Sequence, residues 1–129
     1  MPKLMVVEDS AAMRGFIATI LGQVEGASVV EAASGFDALK RLPRENVDLL
    51  VIDINMPDIN GLELISFVRA NPNYRRIPVI IITTENSAED RKRGLGLGAS
   101  DYLVKPFGAA DLRRAVEAAL GLRPKGWGA

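Results

Sequence analysis

The sequence predicts a single α/β domain in which helices cover both faces of a parallel, doubly wound sheet. Short apolar runs alternate five times with segments of helical periodicity, which is the pattern of parallel βαβ units. The runs are apolar at consecutive positions, as expected for strands that are covered by helices on both sides. A chain of 129 residues is long enough to bury the core of one such domain without disulfides.

Five short segments are predicted as strands: residues 4–7, 28–32, 48–53, 78–83 and 102–104. The third and the fourth are the clearest, because each contains four consecutive aliphatic residues. The third also ends directly in an acid, Asp53.

The first helix is predicted from one apolar face, which is formed by Met13, Phe16, Ile17, Ile20 and Leu21. Ser10 is its expected N-cap. The other helices are predicted at residues 36–42, from residue 62 to before Pro72, at 88–97 and at 111–120. Pro43 is expected to close the second helix, because a proline lacks the N–H that a helix interior uses.

The composition excludes several classes of function. Lysine plus arginine equals aspartate plus glutamate, 16 of each, which argues against nucleic acid or an anionic membrane as a partner. The absence of cysteine excludes disulfides and thiolate chemistry. The absence of histidine removes the commonest general base and the commonest zinc ligand. Catalysis must therefore use carboxylates, lysine, hydroxyl groups or a hard metal ion.

No apolar stretch approaches the length of about 20 residues that a membrane-spanning helix needs. The apolar run near the N-terminus is too short for a signal peptide. We expect a cytoplasmic protein without membrane insertion. Residues 1–121 are predicted to form the domain, and residues 122–129, which include Trp127, to form a flexible C-terminal tail with no output domain.

Chemically matched side chains follow four of the predicted strands. Glu8 and Asp9 follow the first strand, Asp53 ends the third, Thr83 ends the fourth and Lys105 follows the fifth. In an open parallel sheet the carboxyl ends of the strands form the ligand-binding edge. Any one of these residues alone is more often a helix cap or a solvated loop residue. Their joint placement predicts a site.

Three carboxylates that converge on one site repel one another, and a divalent cation with oxygen ligands relieves the conflict. Mg²⁺ fits best, because it takes one or two carboxylates and keeps several waters. Lys105 adds a further positive charge. The arrangement predicts a carboxylate nucleophile, Asp53, with cations placed for a phosphoryl group.

The sequence resembles the receiver domain of two-component response regulators, and most closely the stand-alone chemotaxis members of that family. The matching segments are residues 6–10, 53–57, 60–64, 82–85 and 98–107, and the resemblance extends from about residue 3 to 121. It implies a flavodoxin-like fold with five helices around a five-stranded sheet of order 2-1-3-4-5.

The resemblance also implies roles for individual residues. Asp53 would be the phosphoacceptor. Mg²⁺ would be held by Glu8, Asp9, Asp53 and the backbone carbonyl of Asn55. Lys105 would pair with Asp53 and then with a phosphoryl oxygen.

Two further residues would form the switch that the resemblance implies. Thr83 would move its hydroxyl group onto the phosphoryl group, and Tyr102 would rotate inward into the space that Thr83 leaves. The peptide bond between Lys105 and Pro106 would be cis.

The partners implied are a sensor histidine kinase or a phosphotransfer protein as donor, and a protein target on the face of helix 4, strand 5 and helix 5. Such a chain modifies itself and is not a turnover enzyme.

The alternatives are a phosphorelay intermediate or an unphosphorylated interaction module outside chemotaxis. Asn55 argues against a dehalogenase-type phosphatase, which needs an acid there, and the acidic loop after the first strand argues against a bound flavin phosphate. Three glycines at the C-terminal end of helix 4 suggest that this helix orders or shifts on phosphorylation: Gly94, Gly96 and, as its possible C-cap, Gly98.

Overall fold

The computed structural model describes residues 1–84 and 87–122, within which five strands alternate with five helices. The strands are β1 (Lys3–Val7), β2 (Ser28–Ala32), β3 (Leu49–Asp53), β4 (Val79–Thr83) and β5 (Asp101–Val104). The helices are α1 (Ala11–Leu21), α2 (Gly35–Glu45), α3 (Gly61–Ala70), α4 (Ala88–Gly96) and α5 (Ala109–Ala119). The predicted alternation is therefore confirmed. The predicted tail lies outside the described residues from position 123 onward, Trp127 included.

All strand pairs are parallel, and the order in the sheet is β2-β1-β3-β4-β5, which confirms the predicted topology. The chain first winds from β1 to β2 and then returns to place β3 on the other side of β1. The order therefore reverses between β1 and β3, and a crevice opens at the carboxyl ends of these two strands. Both candidate acid-bearing strands end at this crevice.

The sheet separates two hydrophobic clusters. In β3, Leu49 and Val51 face the cluster that contains α1 and α5, whereas Leu50 and Ile52 face the cluster beneath α2 and α3. Every residue of β3 and β4 is buried. This two-sided burial is the physical reason why these strands are apolar at consecutive positions.

The helix starts follow the expected capping chemistry. Ser10 accepts a hydrogen bond from the backbone N–H of Met13 and so caps α1, as predicted. The starts of three other helices are capped in the same way by Ser34, Asn60 and Ser87. Within the described ranges, no helix has both the length and the apolar character that crossing a bilayer requires.

The predicted end of the second helix is wrong, because α2 continues through Pro43 to Glu45. A proline removes only its own N–H, and in the last turn of a helix this loss affects few bonds. The last turn is also held from outside, since Leu42 is buried and the Glu45 carboxylate lies 3.3 Å from the Lys3 ammonium. The helix ends at Glu45, and the next residue, Asn46, caps it in a left-handed conformation with φ of 49°.

Candidate functional site

The structure brings three carboxylates together at the crevice. Oxygens of Glu8, Asp9 and Asp53 lie within 4.8 Å of one another. Glu8 and Asp53 are almost fully buried, with 1% and 3% of their surface exposed, whereas Asp9 is exposed to solvent. The strand ends explain this placement, because the acids follow the two adjacent central strands β1 and β3.

Lys105 reaches into this cluster from the loop after β5. Its ammonium nitrogen lies 2.6 Å from Glu8 Oε1 and 3.5 Å from Asp53 Oδ2. Its backbone N–H donates to the Thr83 carbonyl at 2.7 Å, which fixes the start of the loop. The resemblance implied a pair of Lys105 with Asp53, but the shorter contact is the one with Glu8. One ammonium thus serves two buried carboxylates, and the cluster keeps an excess of negative charge.

The pKa values of the two buried acids, Asp53 and Glu8, are shifted in opposite directions. Burial raises the pKa of Asp53 to about 6, and the negative charge of Glu8 adds to the increase while Lys105 opposes it. Burial acts in the same direction on Glu8, but hydrogen bonds from Lys105 and the Ser10 backbone N–H outweigh it, so that the pKa of Glu8 lies below its ordinary value. A proton shared by the pair therefore resides on Asp53, and Glu8 is the acid that Lys105 neutralises.

The donor set fits a hard divalent cation. All candidate ligands are carboxylate or carbonyl oxygens, and the local charge is negative even with Lys105 present. Mg²⁺ accepts such a set, because it needs few carboxylates and retains waters on its open positions. The acidic cluster of Glu8, Asp9 and Asp53 is therefore compatible with Mg²⁺.

Asn55 and Thr83 lie beside the carboxylates. The backbone N–H of Asn55 donates to Asp53 Oδ1 at 3.2 Å, and its side-chain amide donates to the Thr83 hydroxyl at 3.3 Å. Thr83 is fully buried at the end of β4. The loop after Asp53 therefore contacts both the candidate phosphoacceptor and the candidate switch hydroxyl.

Tyr102 lies one strand further along the sheet. It is paired in register with Ile81 of β4, two residues before Thr83, and only 4% of its surface is exposed. The Arg91 guanidinium lies 5.3 Å from the centre of its ring, in a cation–π contact. The ring is thus already inside in this structure. The peptide bond between Lys105 and Pro106 is cis.

Two residues near the site were given no role in the sequence analysis. Gly61 begins α3, and a Cβ there would collide with the backbone of Asp53 and Ile54. Asp58 accepts hydrogen bonds from the first two backbone N–H groups of α2. The Asn60-Gly61 pair was visible as a turn signal, but the partners of Asp58 are more than 20 residues away, at positions 35 and 36.

Together, this fold and this site define a receiver-type α/β domain with an acidic pocket at the switch point of its sheet. Residues 4–117 match the family model of the response regulator receiver domain. The chain belongs to that family.

Its relatives are similar over nearly the whole chain. It is 40% identical over 120 residues to the "Chemotaxis protein CheY homolog" of Campylobacter jejuni, with 92% of each chain covered. It is 38% identical to "Chemotaxis protein CheY1" of Helicobacter pylori, with 92% of this chain and 97% of the relative covered. The crystal structure of chemotaxis protein CheY4 of Vibrio cholerae superposes with a TM-score of 0.86 at 33% identity, over 93% of this chain and 99% of the other. The domain is therefore CheY-like.

Proposed function

We propose that this chain accepts a phosphoryl group on Asp53 from a phosphohistidine of a sensor histidine kinase or a phosphotransfer protein, in a Mg²⁺-dependent reaction. It would act in the cytoplasm as a single-domain response regulator of a chemotaxis-like system, with residues 1–121 as the receiver. One observation carries this proposal: the buried carboxylate of Asp53 lies beside Glu8 and Asp9, with the Lys105 ammonium 3.5 Å away.

The proposed reaction is an in-line attack by an Asp53 oxygen on phosphorus, with the donor imidazole as the leaving group. Glu8, Asp9, Asp53 and the Asn55 backbone carbonyl would hold Mg²⁺, which neutralises charge on the carboxylates and on the transferring group. Lys105 exchanges its contact with the carboxylates for one with a phosphoryl oxygen. The Asn55 backbone N–H orients Asp53 through its bond to Oδ1.

The phosphoryl group leaves when water hydrolyses the acyl phosphate. The chain then catalyses its own modification and its reversal, and it does not turn over a separate substrate. In the phosphorylated state the hydroxyl of Thr83 turns to the phosphoryl group, and Tyr102 responds as the second switch residue. This biases a surface between two states.

The surface that we propose for the target is formed by α4, β5 and α5. It contains a cavity of about 600 Å³, whose lining includes Arg91, Tyr102, Phe107 and Arg114. The lining also includes Asp101 and Asp111, and Arg114 pairs with Asp111 at 2.7 Å. The aromatic side chains and Arg91 therefore favour a partner that is mainly apolar and presents an acidic group. Chemical-shift mapping with a phosphoryl analogue tests this placement.

Acetyl phosphate provides the direct test of the reaction. We expect one phosphoryl adduct by intact-mass measurement in the presence of Mg²⁺, and none in EDTA. Asp53→Asn removes the nucleophile and should abolish the adduct while the protein stays folded by circular dichroism. A folded wild-type chain that forms no adduct under any condition contradicts the proposal and favours the unphosphorylated interaction module instead.

A further inference from the structure

The β3–α3 loop, residues 54–60, is closed at its base. The backbone N–H of Gly61 donates to the Ile54 carbonyl at 2.8 Å, and that of Met56 donates to the same carbonyl at 3.2 Å. Because a Cβ at position 61 would collide with the backbone of Asp53, the base of the loop fits directly against the phosphoacceptor. The hydrogen bonds to Ile54 thus hold the two ends of the loop together.

The first residues of this loop contact the site. Asn55 donates its backbone N–H to Asp53 and its side-chain amide to Thr83. A displacement of Asn55 changes both contacts at once. The position of Asn55 thus links the geometry of the phosphoacceptor to that of the switch hydroxyl.

The outer part of the loop is fastened to the start of α2. Asp58 Oδ1 accepts from the Gly35 backbone N–H at 3.3 Å, and Oδ2 accepts from the Phe36 backbone N–H at 2.9 Å. A carboxylate is favourable there, because the first N–H groups of a helix carry a partial positive charge. A Cβ at Gly35 would lie 2.7 Å from the Cβ of Ile59, so the helix start also packs directly on the loop.

We propose that Asp58 is a positioning residue, which holds Asn55 against Asp53 and Thr83 by fastening the β3–α3 loop to α2, and which thereby sets the affinity for the divalent cation and the lifetime of the phosphoryl group. The second part of this inference rests on the proposed function. The first part, that Asp58 holds Asn55 in place, concerns the chain without metal ion or phosphoryl group.

The test compares Asp58→Ala with two other variants. Asp58→Asn keeps one acceptor oxygen for the helix N–H groups. Asp37→Ala is the matched control, since the Asp37 carboxylate supports the same helix start by accepting hydrogen bonds from the Ala33 backbone N–H and the Arg41 guanidinium. Three quantities are measured for each variant: the amide exchange rates of Asn55 and Gly61 in EDTA, the Kd of Mg²⁺ by calorimetry, and the half-life of the acyl phosphate.

Asp58→Ala should accelerate exchange at Asn55 and Gly61 and raise the Kd of Mg²⁺ by about tenfold, the lower end for residues that orient metal ligands. The half-life of the acyl phosphate should also depart from its wild-type value. In Asp58→Asn, the exchange rates, the Kd of Mg²⁺ and the half-life should all lie close to their wild-type values. Asp37→Ala should lower the thermal midpoint and leave the exchange rates at Asn55 and Gly61 and the Mg²⁺ affinity at wild-type values.

Two results overturn the inference. One is an Asp58→Ala variant with wild-type exchange at Asn55 and Gly61. The other is an Asp37→Ala variant with the same changes, which assigns them to the stability of α2. If the wild-type chain fails to bind Mg²⁺, the proposed function fails, and the exchange rates in EDTA still decide whether Asp58 positions the loop.

Discussion

Asp53 is buried and carries a raised pKa, which has a consequence for stability. Its pKa is about 6 in the folded chain, above the ordinary value of 3.8, so the folded state binds this proton more tightly than the unfolded state does. The stabilisation from the protonated form is complete below the unfolded pKa and is lost as the pH rises through about 6. At neutral pH, without a metal ion, the ionised carboxylate therefore destabilises the fold.

Asp53→Asn imitates the protonated form and should stabilise the metal-free protein at pH 7.5 by about 1–3 kcal/mol, since one pKa unit corresponds to about 1.4 kcal/mol. The gain should shrink as the pH falls below the pKa of Asp53 and should be nearly absent close to pH 4. Urea unfolding of both proteins in EDTA, followed by far-UV circular dichroism across this pH range, measures the difference. A gain that is the same at every pH would mean that the charge of Asp53 is not its cause.

At the level of single residues, the sequence predicted which side chains meet but not how they pair. Parallel strand ends must lie at one edge, so the positions of Glu8, Asp9, Asp53, Thr83 and Lys105 followed from the strands alone. The preference of Lys105 for Glu8 depends on distances of a few ångströms between loops, which no periodicity encodes. Asp58 was missed for the same reason, since its partners belong to a distant segment.

Among the helices, α4 is attached to the rest of the molecule by an unusual set of contacts. Its one buried residue is Gly94, and a Cβ there would collide with Ile81 Cδ1. The end of the helix is held by Arg69 of α3, whose guanidinium donates to the carbonyls of Leu97 and Gly98 at 2.8 and 3.2 Å. The same group donates to the carbonyls of residues 75 and 77, so it joins α4 to the segment that leads into β4.

Arg69→Ala should lower the free energy of unfolding by about 2–3 kcal/mol, because several hydrogen bonds from a charged group to partly buried carbonyls are lost together. Amide exchange should accelerate at residues 97–99 first. Arg76→Ala, at an exposed position in the following loop, is the control and should leave both quantities nearly unchanged. Equal protection of residues 97–99 in the wild type and in Arg69→Ala would contradict this role of the guanidinium.

Two glycines in helices should respond in opposite ways to alanine. Gly15 of α1 has open space where a Cβ would be, so Gly15→Ala should stabilise the protein by about 0.5–1 kcal/mol through helix propensity. Gly94→Ala forces Ile81 to move and should destabilise it by about 1–3 kcal/mol. Thermal and urea unfolding of the pair measures both effects. A stabilised Gly94→Ala protein would show that α4 does not need its close approach to the sheet.

Helices and strands were predicted in the right number and order, because two-sided burial leaves a clear apolar signal in β3 and β4. The error at Pro43 has a specific cause. The rule that proline ends a helix concerns its interior, whereas the last turn of α2 is held by Leu42 and by the ion pair of Glu45 with Lys3. Neither contact is visible without the fold.

Across the whole molecule, the site and the proposed target surface are joined by adjacent strands. Thr83 is paired in register with Val104, and Ile81 with Tyr102. The movement of Thr83 that we propose would therefore have a route to β5 and, through the contact of Tyr102 with Arg91, to α4. The strand order that creates this route was inferred from the resemblance, since an alternation of strands and helices alone permits other orders.

A beryllium fluoride complex, used with Mg²⁺ as a phosphoryl analogue, should therefore shift amide resonances of residues 88–104 and of α5. Residues 46–48 and 73–77, near the amino ends of β3 and β4, should stay unchanged. Asp53→Asn should abolish the shifts. Resonance changes confined to the immediate neighbours of Asp53 would exclude a coupled surface on α4, β5 and α5.

The central position of β3 limits where a signal can act. This strand has β1 and β4 as neighbours, and all five of its residues are buried. The proposed phosphoacceptor, Asp53, therefore lies in a buried strand with neighbours on both sides, where phosphorylation would add charge but leave little room to displace the acceptor. We expect the change in shape to occur in the helices and loops at the surface, which are less buried than β3. We therefore expect that replacing the exposed face of one surface helix changes the partner that is bound and leaves the chemistry at Asp53 unaltered.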